Sequence, residues 1–208
     1  IKTLILQPIL NPEFMTSNAF KIKLNSEIGK LNGVILHTPG SEVQNMTPDN
    51  AERALYSDIL NLKVAQEEYK QLSAFMEKVT NTFQVKELLS DILENSRLRD
   101  NLINRIFENE GAEKNSVIID NLDSKELARQ MIEGVVMSKN TLTSYLSKQR
   151  YTLKPLHNFF FTRDASVAIT DKVLIARMAN KVRERESIIM QSIFDFHPLF
   201  SATTVNPV

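Results

Sequence analysis

Cysteine is absent from all 208 residues. Its absence excludes disulfides, thiolate metal sites and any cysteine nucleophile supplied by this chain itself. A surplus of charge is also missing, because Lys plus Arg and Asp plus Glu each number 25. No global field therefore argues for nucleic acid, an anionic membrane or an acidic substrate. Long hydrophobic runs are missing too: "KLNGVILHTPG" and "KVLIARM" fall far below the roughly 20 apolar residues that a membrane helix needs. The expectation is a soluble, cytoplasmic protein with no nucleic-acid or membrane partner. Histidine is scarce, and His37, His157 and His197 lie far apart without the i, i+4 spacing of a helical metal pair. Structural roles are expected for all three, with no metal and no cofactor.

What is present suffices for a core. With 42% hydrophobic residues, the chain can bury one domain or two small ones. Residues 1–14, "IKTLILQPILNPEF", carry neither a basic n-region nor a small-residue cleavage site, so they do not resemble a signal peptide. "PEF" directly before Met15 reads as a cloning scar, which would make Met15 the native start; "IKTLILQPIL" also fits an apolar strand.

Beyond Ile22 the pattern sharpens. "KLNGVILHTPG" predicts a strand closed by Pro39 and Gly40, and Thr47 with Pro48 predicts a helix start. Val64, Tyr69, Leu72, Met76 and Val79 sit at helical spacing, with Glu67, Glu68, Lys70 and Glu77 for the solvent face. "FQVKELL" then predicts a short strand running into a helix, completing a strand, helix, strand unit. From about Leu88 to Leu146 helical periodicity dominates, broken at "ENEGAEKNS" and restarted at Asp123 with Glu126 as capping-box partner. A helical bundle inserted into an α/β domain is expected there, with strand character returning at Asn158.

"PLHNFFFTRDASVAI", Pro155 to Ile169, reads as a strand that contains Asn158, Arg163 and Asp164 within an apolar run. A buried charge needs a partner. Taken alone, an Arg-Asp dipeptide is a turn or a structural pair.

Three segments together point further: "SEIGKLNGVILHTPGSEVQNMTP" (Ser26 to Pro48), "LKPLHNFFFTRD" (Leu153 to Asp164) and "NKVRERESIIMQSIFDFHPLF" (Asn180 to Phe200). In that order and at similar separations they resemble the amino-terminal half of bacterial arginine deiminases, with a helical insert where that family carries one. The resemblance implies an α/β fold, a partial five-bladed propeller of the pentein type with an inserted helical bundle. Its parts would be 15–87 and 151–208 for the propeller and 88–150 for the insert. It also implies hydrolysis of L-arginine to L-citrulline and ammonia. A carboxylate can grip a planar guanidinium bidentately and turn its electrophilic carbon toward a nucleophile. Asp164 matches that catalytic carboxylate. Phe161 matches the aromatic that packs on the guanidinium or its stem, Asn158 an amide that helps hold the amino-acid end, and Arg183 the partner of the α-carboxylate. Without the resemblance, "KVRERE" would read as a solvated helix face.

The chain departs from the family pattern at Ala165, where Pro is usual, and at Ser57, where an acidic residue is usual. The family's Glu-Gly-Gly-Asp carboxylate, His-x-Asp pair and terminal cysteine are not found before Val208. The expectation is a truncated arginine deiminase, inactive alone, whose partner is L-arginine or a related guanidine once the missing half is supplied. A noncatalytic guanidine-binding paralogue and an assembly module are the alternatives. Unpaired blade edges would invite homo-oligomers. Asp164 is expected on the same strand as Asn158 and Phe161, open to a cleft and only loosely paired. Arg163, on the opposite face by period two, is expected to be buried and satisfied internally.

Overall fold

Phe20–Lys21 (β1) is the first element of the computed structural model, which describes residues 20–45, 59–111, 122–147 and 149–206. Residues 1–14, the helix start at Thr47 and Pro48, and Ser57 lie outside the described residues. Gly33–Leu36 (β2) is followed by the single turn Ser41–Gln44 (α1), the long helix Leu62–Val79 (α2) and Asn81–Gln84 (β3). β2 and β3 pair in parallel, from Gly33 opposite Asn81 to Leu36 opposite Gln84. Parallel neighbours need a crossover between them, and the chain supplies α2, so the strand, helix, strand unit is present.

Asn61 starts α2 by accepting the Lys63 and Val64 amides at 3.0 and 3.3 Å. The helix forms where its spacing predicts, yet none of its residues is buried. Val64, Leu72, Phe75 and Val79 stay largely exposed. Half-buried Tyr69 ties the helix to the domain, its hydroxyl accepting the His37 amide at 2.9 Å.

β3 passes without a loop into Val85–Leu93 (α3), and Ser96–Glu110 (α4) follows. Val85, Leu88, Leu89, Ile92 and Leu93 of α3 are buried at the i, i+3, i+4, i+7 spacing of one helix face. α4 ends at Gly111, whose φ of 62° is the left-handed C-cap conformation that glycine adopts without strain. Ser124–Glu133 (α5) begins as predicted, with Asp123 accepting the Glu126 amide at 2.7 Å. The Glu126 carboxylate instead faces down the helix to Arg129 and Gln130.

Val135–Val136 (β4), Leu142–Leu146 (α6) and Tyr151–Leu153 (β5) come next. β4 and β5 pair antiparallel, so strand structure returns well before Asn158, contrary to expectation. Gly134 makes the approach possible: its φ is 86°, and a Cβ there would lie 2.7 Å from the Leu153 carbonyl oxygen.

Thr162–Ala165 (α7), Ser166–Ile169 (β6), Lys172–Ile175 (β7), Lys181–Phe196 (α8), Phe200–Ser201 (β8) and Thr203–Val205 (β9) complete the chain. Among the described residues the strands form small open sheets, β1 with β8, β2 with β3, β4 with β5, and β6-β7-β9, and none closes. The fold is mixed α/β.

The helices from Val85 to Glu133 do not form a separate lobe. Leu89, Ile103, Leu127 and Ile132 belong to one continuous apolar core with Leu153, Phe159, Val173 and Ile189. The packing explains the difference from expectation: α4 packs on α8 and α3 on α5, so the inserted helices share their buried faces with the strands that follow.

Candidate functional site

The run from Pro155 to Ile169 is not one strand. Phe159 donates its amide to the Leu156 carbonyl, Phe161 to Asn158 and Asp164 to Phe161, at 3.2, 2.9 and 3.0 Å. These successive i to i+3 bonds wind the segment into turns that end in α7. Burial follows the same period: Leu156, Phe159 and Ala165 are fully buried at intervals of three or six, while Phe161 is 50% exposed. A spacing of three was present in the sequence, hidden by the apolar run around it. Asn158, Phe161 and Asp164 are therefore corrected from strand positions to positions on tight turns and a one-turn helix, and β6 begins only at Ser166.

Two contacts fix these turns against the first strand unit. Thr162 Oγ1 donates to the Ile35 carbonyl of β2 at 3.1 Å. His157 Nδ1 donates to the Glu42 carbonyl at 2.5 Å, and burial pushes its pKa down although that bond and the Glu42 charge push the other way. Glu42, fully buried, holds the preceding loop through His37 Nε2 at 2.9 Å and the Gly40 amide at 2.7 Å. The third histidine, His197, lies 3.2 Å from Asp91. Each histidine thus has an internal partner. Among the described residues no group of three or more His, Asp or Glu is placed to hold a metal.

The site forms where these turns meet the start of α8. Asn180 caps that helix by accepting the Val182 amide at 2.9 Å, which sets Arg183 and Glu186 on its first turns. Arg183 Nη2 donates to Asp164 Oδ2 at 2.8 Å, and Arg183 Nε and Nη2 donate to Glu186 Oε1 and Oε2 at 3.2 and 3.1 Å. Asp164 and Arg183 are thus in direct contact. Phe161 shares the turn of Asp164, half open to solvent, with its ring 4.3 Å from that of Phe160. Phe159, the first of the three phenylalanines, is plain core. Asn158 is buried and joins the group through its carbonyl, which accepts the Phe161 amide.

Glu186 escaped the sequence reading. The i, i+3 spacing of Arg183 and Glu186 was its one local signal. Burial raises its carboxyl, against the pull of Arg183, while Asp164 adds a further upward push. Burial lowers Arg183, but its bonds to Glu186 and Asp164 outweigh that and hold it above its usual value. Both values rise, for opposite reasons: burial wins at the carboxylate, cut off from water at 0% exposure, whereas the bonds to carboxylates win at the guanidinium, which keeps 20%.

Arg163 does not behave as expected. It pairs with Glu27 at 2.9 Å, but the two side chains are 71% and 65% exposed. With the segment wound into turns, period-two alternation does not apply, and Arg163 faces solvent. Arg163→Ala should therefore change stability by only about 0–1 kcal/mol in urea denaturation, far from the loss expected of a buried pair.

Behind the His37–Glu42 loop lies a denser charge cluster. Glu133 accepts from Lys86 Nζ at 2.5 Å and Arg129 Nη1 at 2.7 Å, and also from Ser41 Oγ. Burial pushes its pKa up, but these three donors outweigh burial and hold it below the ordinary 4.5. A lowered native pKa stabilises above the unfolded value and is lost as pH falls through the native one. The stability advantage of the parent over Glu133→Gln should therefore be full at neutral pH and shrink progressively below 4.5. Urea denaturation of both proteins at stepped pH checks this; a constant difference down to strong acid would refute it.

A sequence model of the arginine deiminase family matches residues 52–207. The chain belongs to the arginine deiminase family. Arginine deiminases of Borrelia garinii subsp. bavariensis and Pediococcus pentosaceus are 32% and 33% identical to it over 193 and 195 residues. That of Bacillus cereus is 30% identical over 198 residues. These alignments cover 86–88% of this chain and 47–48% of the relatives. The chain thus spans about half the length of the curated relatives it matches. No described helix of this arginine deiminase family member is long and apolar enough to cross a membrane.

Proposed function

We propose that this chain supplies the guanidinium-gripping part of a cytoplasmic arginine deiminase, which hydrolyses L-arginine to L-citrulline and ammonia. The observation that carries this reading is the half-exposed Asp164 carboxylate beside Arg183, in a chain of that family. Asp164 would hold the substrate guanidinium, Phe161 pack on it, and Arg183 and Asn158 hold the amino-acid end. The reaction needs a thiolate to attack the guanidinium carbon, an acid and base to protonate the leaving ammonia and activate water, and carboxylates to orient the cation. This chain offers a candidate for the last of these, so the thiolate must come from elsewhere. The partial five-bladed propeller, divided at 15–87, 88–150 and 151–208, belongs to the same reading, as does homo-oligomerisation through unpaired edges. The absence of cysteine also favours a second reading, a paralogue that binds guanidines without turning them over.

The test is an amide chemical-shift titration with L-arginine. Shifts centred on Phe161, Asp164 and Arg183, lost in Asp164→Asn, are expected. L-Arginine shifts that survive Asp164→Asn unchanged would remove the clamp.

A further inference from the structure

Asp164 already holds a guanidinium, that of Arg183, and two carboxylates share that group unequally. Glu186, fully buried, engages two nitrogens side-on, whereas Asp164, 50% exposed, receives a single bond. A desolvated bidentate contact is the stronger and stiffer of the two; a lone contact at the surface is screened by water and easily exchanged.

We propose that Arg183 is an internal stand-in for the ligand guanidinium on Asp164, and that this contact selects ligands bearing both a guanidinium and a carboxylate. The proposal rests on the clamp reading above. An incoming guanidinium takes Asp164, while Arg183 stays on Glu186 through Nε and Nη2 and offers the Nη2 N–H released from Asp164 to the carboxylate of the same ligand. With L-arginine, one ion pair is exchanged for two: Asp164 with the ligand guanidinium, and Arg183 with the ligand carboxylate. With a guanidine that has no carboxylate, one pair replaces one pair, and two guanidinium groups are left side by side. Discrimination thus comes from a penalty on the wrong ligand as much as from attraction to the right one. Glu186 is the positioning residue that keeps Arg183 in reach after it leaves Asp164.

Methylguanidine and L-arginine are the probes, titrated into the parent chain and Arg183→Gln with amide shifts of Phe161 and Asp164 as the readout. Removing the stand-in should tighten methylguanidine about two- to fivefold, the range of an exposed ion pair, while weakening L-arginine, so the preference between them collapses. Methylguanidine affinity that is unchanged or weaker in Arg183→Gln, with L-arginine still binding the parent, overturns the exchange alone. No shift with either ligand in either protein overturns the clamp and the exchange together. Should Arg183→Gln fail to fold because Glu186 loses its partner, the double variant Arg183→Gln/Glu186→Gln removes both charges and is read the same way.

Discussion

Purified chain of this sequence is expected to release no citrulline from L-arginine above a buffer control. The guanidinium carbon is a poor electrophile, stabilised by delocalisation, and its attack calls for a nucleophile far stronger than neutral water. The family reading assigns that task to a thiolate, and the chain contains no cysteine. Asp164 and Arg183 can orient a ligand, but orientation without a nucleophile leaves no covalent step to accelerate. The histidines offer no replacement, since His37 and His157 are tied to Glu42, and His197 faces Asp91. A colorimetric citrulline assay at millimolar arginine decides the matter, and sustained turnover by the pure chain would refute the thiolate-dependent mechanism.

The largest stability effect is expected at Glu110. Arg185 on α8 is completely buried, and its Nη1 lies 3.0 Å from Glu110 Oε1 on α4. The pair is close but not aligned for a hydrogen bond, leaving Arg185 Nε and Nη1 and Glu110 Oε1 without one. Arg185 Nη2 donates to the Lys154 carbonyl. Burial pulls the Arg185 pKa down to about 10, with Glu110 and Glu186 pushing it back up. Burial also raises the Glu110 carboxyl, with Arg185 and Lys154 opposing. Glu110→Ala would leave a fully desolvated guanidinium whose remaining charge partner, Glu186, is already committed to Arg183. The expected loss in urea denaturation is about 3–5 kcal/mol, the cost of breaking one side of a buried pair. Replacing both partners, as in Glu110→Met/Arg185→Met, should cost far less, because packed apolar groups need no compensation. Equal losses for the single and double variants would mean that packing, not charge, governs this contact.

Local features of the fold were legible in the sequence. Val34 to Leu36 closed by Pro39 and Gly40 declared β2, Asp123 with Glu126 declared the start of α5, and the polar and apolar spacing of 62–79 declared α2. The failures were those of context. In 155–169 the apolar run concealed a period of three, because Phe159 enters the core whereas Phe161 turns outward. Strand alternation places Arg163 in the interior, a rule without force on a one-turn helix. The apolar stripe of α2 is a true helical pattern, but whether a stripe is covered depends on what packs there, which spacing along one helix does not encode. Glu186 could be found only in three dimensions, because its importance lies in sharing Arg183 with a residue 22 positions earlier. The resemblance to the family assigns Asp164 and Arg183 to opposite ends of one ligand, where composition and periodicity could not, but their contact with each other shows only in the structure.

The central claim, that Asp164 is the carboxylate that grips the substrate guanidinium, is tested most directly by citrulline formation in a fusion of this chain to the remaining half of an arginine deiminase relative. The comparison is between Asp164 and Asp164→Ala in that fusion, with melting temperature measured alongside. Asp164 is half exposed and makes one ion pair, so its removal should leave the melting temperature nearly unchanged while abolishing turnover. A fusion that forms citrulline equally well with Asp164→Ala would contradict the account.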